Sequence, residues 1–347
     1  MKKLLLLILT TILLSACGDK KDKPVVDEKT KYNFDTTDVK TTAVDNPAEA
    51  FILGYNFEEG KTYNYRITTI AETKQTINAD TVIVQNVNQT INYLLNVKLA
   101  AKDEEGLMDL TFTFTSIKLE ADANNDHISF ESSTVKDSLE KVKFADYFSL
   151  INNSFEVRIN QTGELLEIGK TDKIVNTFLK IRGLKDSVKT DDISRMKYDL
   201  TEGMLKPLVV QVVRKMPGKE MAKDSTWNNV QPASQFMVFQ VVNTTLYKIL
   251  NLEKLDDDKV AVIDAGLKTD VSGNSNYEEG GLKYHFNKPV TNASGKIYFN
   301  LSKGCLQKSK TRTDLNISYT MEMQTPQGVQ KGRRTEVISN TNLVELL

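Results

Sequence analysis

Leu315, Ile317, Tyr319, Met321 and Met323 alternate with polar residues without a break. A two-residue period of that length puts every apolar side chain on one face of an extended strand and is incompatible with a helix. Tyr63, Tyr65 and Ile67 repeat the pattern against Asn64, Arg66 and Thr68, so from residue 51 onward the chain is expected to form half-buried antiparallel strands. Leu110, Phe112 and Phe114 alternate too, but Ile117 and Leu119 fall out of phase with them, which predicts a β-bulge near Thr115-Ser116. The run Phe236 to Val242 is apolar on both faces and reads as a central strand covered on both sides.

Turn chemistry agrees with hairpins. Glu58-Glu59-Gly60, Asp103-Glu104-Glu105-Gly106 and Asp256-Asp257-Asp258 each lie between strand-like runs, where Gly and Asp tolerate the backbone angles of a tight reversal. A weak echo links Ile159-Asn160-Gln161-Thr162-Gly163 to Phe299-Asn300-Leu301-Ser302-Lys303-Gly304, each a strand end, a polar turn and a return strand.

The period changes in the middle of the chain. Thr171 fits an N-cap, Ile174, Val175, Phe178 and Ile181 share one helical face, and Gly183 is a natural stop. A second helical stretch runs from Asp192 to Met216 along Ile193, Met196, Leu200, Met204, Leu208 and Val212, with Gly203 and Pro207 expected to break or kink it. Ser138 to Leu150 reads as a further short helix. The expected fold is therefore α+β: a large curved antiparallel sheet, open and half-barrel-like, with two or three helices packed on its concave face. That arrangement resembles the lipoprotein carriers and related lipid-binding proteins of the bacterial envelope.

The N-terminus carries a different signal. Lys2 and Lys3 precede an apolar and threonine run from Leu4 to Leu14, and Leu14-Ser15-Ala16-Cys17 closes it. This is secretory signal architecture, with a core too short to span a bilayer. The four residues resemble the lipobox of bacterial lipoproteins. The resemblance implies cleavage between Ala16 and Cys17 and acylation of Cys17, which then holds the mature protein to the outer membrane through its acyl chains. The expected organisation is a signal peptide at 1–16, the lipidated Cys17 with a disordered polar tether at 17–48, and a single β-rich α+β domain at 49–347.

Charge and cysteine usage exclude several classes. The chain has a formal charge of −1, which becomes −3 when Lys2 and Lys3 leave with the signal peptide; nothing in that balance argues for nucleic acid as a partner. With Cys17 acylated, Cys305 is the remaining thiol of two cysteines, so no intramolecular disulfide is expected. Cys305 reads as a small packed residue; the sharper alternative is a thiol activated by Lys303, Lys308 and Lys310.

Catalytic chemistry finds no motif. His127 and His285 lie far apart without neighbouring cysteines, and no nucleophile-elbow sequence accompanies them. Asp122-x-Asn124-x-Asp126 fits the first three ligand positions of a calcium loop, but His127 stands where Gly is required and Ser133 where Glu is required. No phosphate loop, GxGxxG or CxxC occurs. No cofactor, metal or catalytic residue is expected, and the protein is not read as an enzyme.

The lipobox, the aromatic strand Glu59-Gly60-Lys61-Thr62-Tyr63-Asn64-Tyr65, the Thr162-Gly163 hairpin, the central helices and the segment from Pro217 to Asp224-Ser225-Thr226-Trp227 together resemble an uncharacterised family of Bacteroidota lipoproteins. That family tends to have Gly-Asp before Thr-Trp, where this chain has Lys223-Asp224-Ser225. The resemblance implies an envelope location and no activity. The leading functional expectation is a non-catalytic binding protein for a hydrophobic or lipid-like ligand. The alternative is an interaction module that docks another envelope protein through its sheet surface, and a third is a carboxylate-dependent hydrolase. An open space between sheet and helices favours the first; a space filled by side chains favours the second.

Overall fold

The computed structural model describes residues 31–347 apart from residues 125, 186 and 327. The expected signal peptide, its cleavage site at Ala16 and Cys17, and residues 18–30 of the expected tether lie outside the described residues.

The first strands are β1 (Thr42–Ala43), β2 (Phe51–Ile52), β3 (Thr62–Asn78), β4 (Val82–Lys102), β5 (Met108–Ala123) and β6 (Asp126–Glu131). Helices α1 (Ser138–Lys143) and α2 (Ala145–Leu150) lead to β7 (Phe155–Ile159) and β8 (Leu165–Gly169). Then come α3 (Asp172–Ile181), α4 (Thr190–Leu200), a π-turn at Thr201–Leu205 and α5 (Lys206–Val212). The chain continues as β9 (Glu220–Met221), β10 (Thr226–Val230), β11 (Ser234–Phe236), β12 (Phe239–Leu255), β13 (Asp258–Gly273) and β14 (Asn276–Glu279). It ends with β15 (Leu282–Phe286), β16 (Val290–Asn300), β17 (Cys305–Thr325) and β18 (Gly328–Leu346).

One 16-stranded sheet dominates, in the order β1-β12-β13-β16-β17-β18-β3-β4-β5-β7-β8, with short strands added at its flanks, and all of its ladders are antiparallel. The α+β expectation, with helices packed on the concave face of a half-barrel-like sheet, is therefore wrong: the protein is mostly β. The helical periodicity is real, but the helices are only 6 to 11 residues long and α4 buries none of its side chains, whereas β4 and β17 each run 21 residues. Helical cover on the core comes from Leu150 of α2, Ile174 of α3, Leu205 of the π-turn and Leu208, Val209 and Val212 of α5. Gly203 and Pro207 do not end the second helix. The π-turn widens the backbone where Pro207 has no N–H to offer the preceding turn.

Other local expectations fare unevenly. The register of β4 against β5 shifts between Leu94 and Leu95, leaving Thr115 bulged between Phe114 and Ser116. That extra residue returns Ile117 and Leu119 to the face of Phe112 and Phe114. Phe236–Val242 is not a central strand. Phe236 pairs with Phe239 around a reversal at Met237, whose φ of 53 is left-handed, at the sheet edge. The apolar run reflects a hairpin whose rings pack on Phe286 and Tyr284 in a small cluster of their own.

Cross-strand partners share a face of the sheet. Tyr65 opposes Leu95 and Leu346, Ile67 opposes Tyr93 and Val344, and Ile263 opposes Ile249 and Ile297. These residues lie on the core face, where the main hydrophobic cluster joins them to Phe112, Phe114, Phe155 and the helical residues. Each fully buried aliphatic or aromatic side chain there contributes about 1.5–3 kcal/mol.

The opposite face carries a strap. Tyr32 hydrogen-bonds to Ser116 on β5, Asp35 reaches Lys308 on β17 at 3.1 Å, Asp38 reaches Lys296 on β16 at 2.5 Å, and Thr42–Ala43 pair with Lys254 and Glu253 on β12. Val39 adds an apolar contact to Val260, Val262 and Tyr298. Residues 31–48, expected as tether, thus cross the sheet in the described structure. Their few apolar side chains suffice because lysines far along the chain meet their carboxylates. Beneath the strap, Lys308, Glu345 and Arg66 form a nearly buried charge network, with Arg66 to Glu345 at 2.8 Å and Lys308 to Glu345 at 3.5 Å.

Candidate functional site

Beyond the strap the chain rounds the sheet edge and enters the core face at residues 53–57. Two turns grip it there. The N–H of Tyr55 donates to the carbonyl of Gln161 at 2.8 Å, and the N–H of Asn56 donates to that of Gly304 at 2.9 Å. These are the two turns of the sequence echo. Both use an asparagine side chain: Asn160 Oδ1 accepts from the N–H groups of Thr162 and Glu164, each at 3.0 Å, and Asn300 Oδ1 accepts from that of Lys303 at 2.8 Å. Gly304 has φ of +58, and a Cβ there would stand 2.7 Å from the nitrogen of Asn56.

The gripped segment in turn positions Arg214, just past α5. Val212 and Val213 are buried, the Arg214 N–H donates to Tyr55 Oη at 2.7 Å, and a Cβ on Gly163 would come within 2.5 Å of the Arg214 carbonyl. The side chain reaches outward from this fixed backbone, Nη2 donating to Ser309 Oγ at 3.4 Å, while its buried Nε has no partner.

Arg214 borders a cavity of about 430 Å³ on the core face. The cavity lies between the main core, which ends at Ala265, and the edge cluster of Phe236 and Val241. Its floor is a patch of short side chains in register: Ala293 opposes Thr313, Thr313 opposes Asn340, and Leu267 opposes Thr245. Under the helices, by contrast, rings fill the space, with Phe112, Phe114 and Phe155 centroids 5.6 and 6.0 Å apart and Phe130 packed on Phe144 at 4.6 Å. The space between sheet and helices is thus filled by side chains, the outcome that favours an interaction module, and the core face is open only beyond the helices, beside Phe236 and Val241. Among the described residues no acidic side chain lines the cavity.

A second, larger concavity of about 800 Å³ runs along the edge strand β10. Trp227 and Tyr247 stack there at 4.8 Å, and the indole Nε1 is buried without a partner. This concavity is an edge cleft.

The residues singled out by sequence do not meet here. Cys305 is fully buried, and burial pushes its thiol up to about 11, the opposite of activation. His127 binds Asp122 at 2.8 Å and Glu120 at 3.3 Å at the exposed β5–β6 hairpin, contacts that raise its pKa. His285 bonds Asn276 Oδ1 at 2.8 Å. Asn124 caps a turn by accepting from the N–H of Asn86 at 3.1 Å; residue 125 of that segment lies outside the described residues. Asp258 is held by Lys303 at 2.8 Å, and Asp103 accepts from the N–H of Leu107 at 2.8 Å. Arg214 was not among the sequence candidates. The apolar stripe ending at Val212 locates it, but its isolation from carboxylates is a tertiary fact.

A family model described as a family of unknown function, DUF6263, matches residues 105–306. No curated protein matches the sequence. Among solved structures, lipovitellin aligns over 84% of this chain at 9% identity with a TM-score of 0.38, and this chain covers 25% of the lipovitellin chain. An outer membrane channel from Pseudomonas putida F1 aligns over 84% of this chain and 97% of its own, at 7% identity and a TM-score of 0.21. OccK2 (OpdF) from Pseudomonas aeruginosa aligns over 84% of this chain and all of its own, at 5% identity and a TM-score of 0.22.

Proposed function

The chain belongs to the DUF6263 family, and we propose that it is a non-catalytic binding protein of the bacterial envelope that holds a hydrophobic or lipid-like ligand on the core face of its sheet. The observation that carries this reading is the 430 Å³ cavity where the core face is left open. Its volume lies in the range of small-molecule sites, about 300–1,000 Å³. Val241, Leu267, Leu315 and Phe236 offer apolar walls, and threonine methyl groups extend them.

Acyl chains on Cys17 anchor the protein to the outer membrane in this proposal, on the strength of the Leu14-Ser15-Ala16-Cys17 sequence. The strap begins at Lys31 beside Ser116, so residues 18–30 bound the distance from anchor to sheet at roughly 45 Å. The rings that fill the space under the helices favour docking through the sheet surface as the second reading; docking through a sheet edge has less behind it. The edges carry short strands, β1 with 2 residues, β11 with 3, β10 and β8 with 5 each, a length that resists edge pairing.

Native mass spectrometry of the gently purified protein tests the reading. A bound mass released on denaturation, identified as lipid by extraction, is the expected result. Bare protein that also fails to take up an added amphiphile overturns it.

A further inference from the structure

Resting on that reading, we infer that the ligand is an acid, and that Arg214 receives its oxyanion. The described chain has eight arginines. Five of them are paired with carboxylates: Arg66 with Glu345, Arg158 with Asp109, Arg195 with Asp199, Arg312 with Asp314 and Arg334 with Glu336. Of the other three, Arg182 and Arg333 are exposed and solvated, and Arg214 alone is half-buried. A guanidinium withdrawn from water without a counter-ion is costly, and a buried N–H without an acceptor adds to the cost. The protein tolerates both at the one arginine whose backbone is clamped by Tyr55 and Gly163 beside an open cavity.

The geometry fits a planar oxyanion. Nη2 makes only a long contact to Ser309 Oγ, at 3.4 Å, so the guanidinium has donor capacity left for one carboxylate or phosphate at the cavity it borders. Among the described residues no acidic side chain lines the cavity to compete for the ligand. Asn243, Thr245 and Thr311 supply neutral polar groups around the head, and Val241, Leu267 and Phe236 supply an apolar route away from it.

Fluorescence titration with 11-(dansylamino)undecanoic acid and its methyl ester tests the inference. The acid is expected to bind at least about 10-fold more tightly than the ester, the ratio that a charge-assisted pair supplies. R214Q is expected to abolish that ratio, and R214K to retain part of it. Dodecanoate and dodecyl phosphate, added as competitors, rank carboxylate against phosphate, with dodecanol as the uncharged control. Equal binding of acid and ester by the unaltered protein overturns the assignment to Arg214 and leaves the ligand reading standing. Binding of neither overturns both.

Discussion

The backbone N–H of Arg214 donates to the hydroxyl of Tyr55 across 2.7 Å, and the same hydroxyl lies 3.4 Å from the carbonyl of Val212, to which it donates. One buried side chain from the gripped segment beyond the strap thus holds the exit of the last helix and sets where the guanidinium of Arg214 stands. Removing that hydroxyl leaves the N–H of Arg214 without its acceptor. Y55F is expected to lower stability by about 1–3 kcal/mol, read from urea denaturation, and to weaken binding of an acidic amphiphile more than that of its ester.

Gly304 and Gly60 both have left-handed backbones, with φ of +58 and +75, yet their surroundings differ. A Cβ on Gly60 would meet nothing within 4 Å, whereas a Cβ on Gly304 would press on the backbone of Asn56. G60A is expected to cost about 1–2 kcal/mol from backbone conformation alone. G304A adds the steric term of an overpacked site, about 1–3 kcal/mol more. Equal denaturation midpoints for the two variants would contradict the clamp on residues 53–57.

Asp35 ties the strap to Lys308. The N–H and hydroxyl of Thr37, with the ammonium of Lys308 behind them, lower its pKa from the ordinary carboxylate range to about 2. A carboxylate depressed on folding stabilises the folded state above its unfolded pKa and loses that contribution as the pH falls through its folded value. Strap protection in hydrogen exchange is therefore expected to hold at pH 5 and to fall between about pH 4 and 2. D35N is expected to reduce it already at pH 7.

Cys305 is predicted to be inert. Its thiol is fully buried and titrates at about 11. In a C17S chain, so that Cys305 is the sole thiol, a disulfide reagent at pH 8 is expected to leave the folded protein unlabelled and to label it on addition of urea. Rapid labelling of the folded protein would show a looser core than the one described.

Strand periodicity was legible because it is local. The alternation from Leu315 to Met323 and the bulge at Thr115 need only neighbouring residues to be read, and α3 ends at Gly183 with φ of +67, as its pattern predicts. Class and coverage were not legible in the same way. Helical stripes do not reveal that α4 fully buries none of its side chains, and an apolar run such as Phe236–Val242 looks alike as a central strand or as an edge hairpin. The strap was read as tether because its binding residues are sparse, and their partners Lys296 and Lys308 lie far away in sequence. Arg214 escaped for the same reason: what distinguishes it is the carboxylate it does not meet.

The most direct measurement compares two tryptophans placed on adjacent residues of β16. Ala293 lines the cavity on the core face, and Asn292 is exposed on the opposite face. Titrated with 11-(dansylamino)undecanoic acid, A293W is expected to lose binding because the ring fills the cavity, whereas N292W binds as the unaltered protein does. Equal binding by all three proteins, with their folds verified by circular dichroism, would contradict a ligand site on the core face.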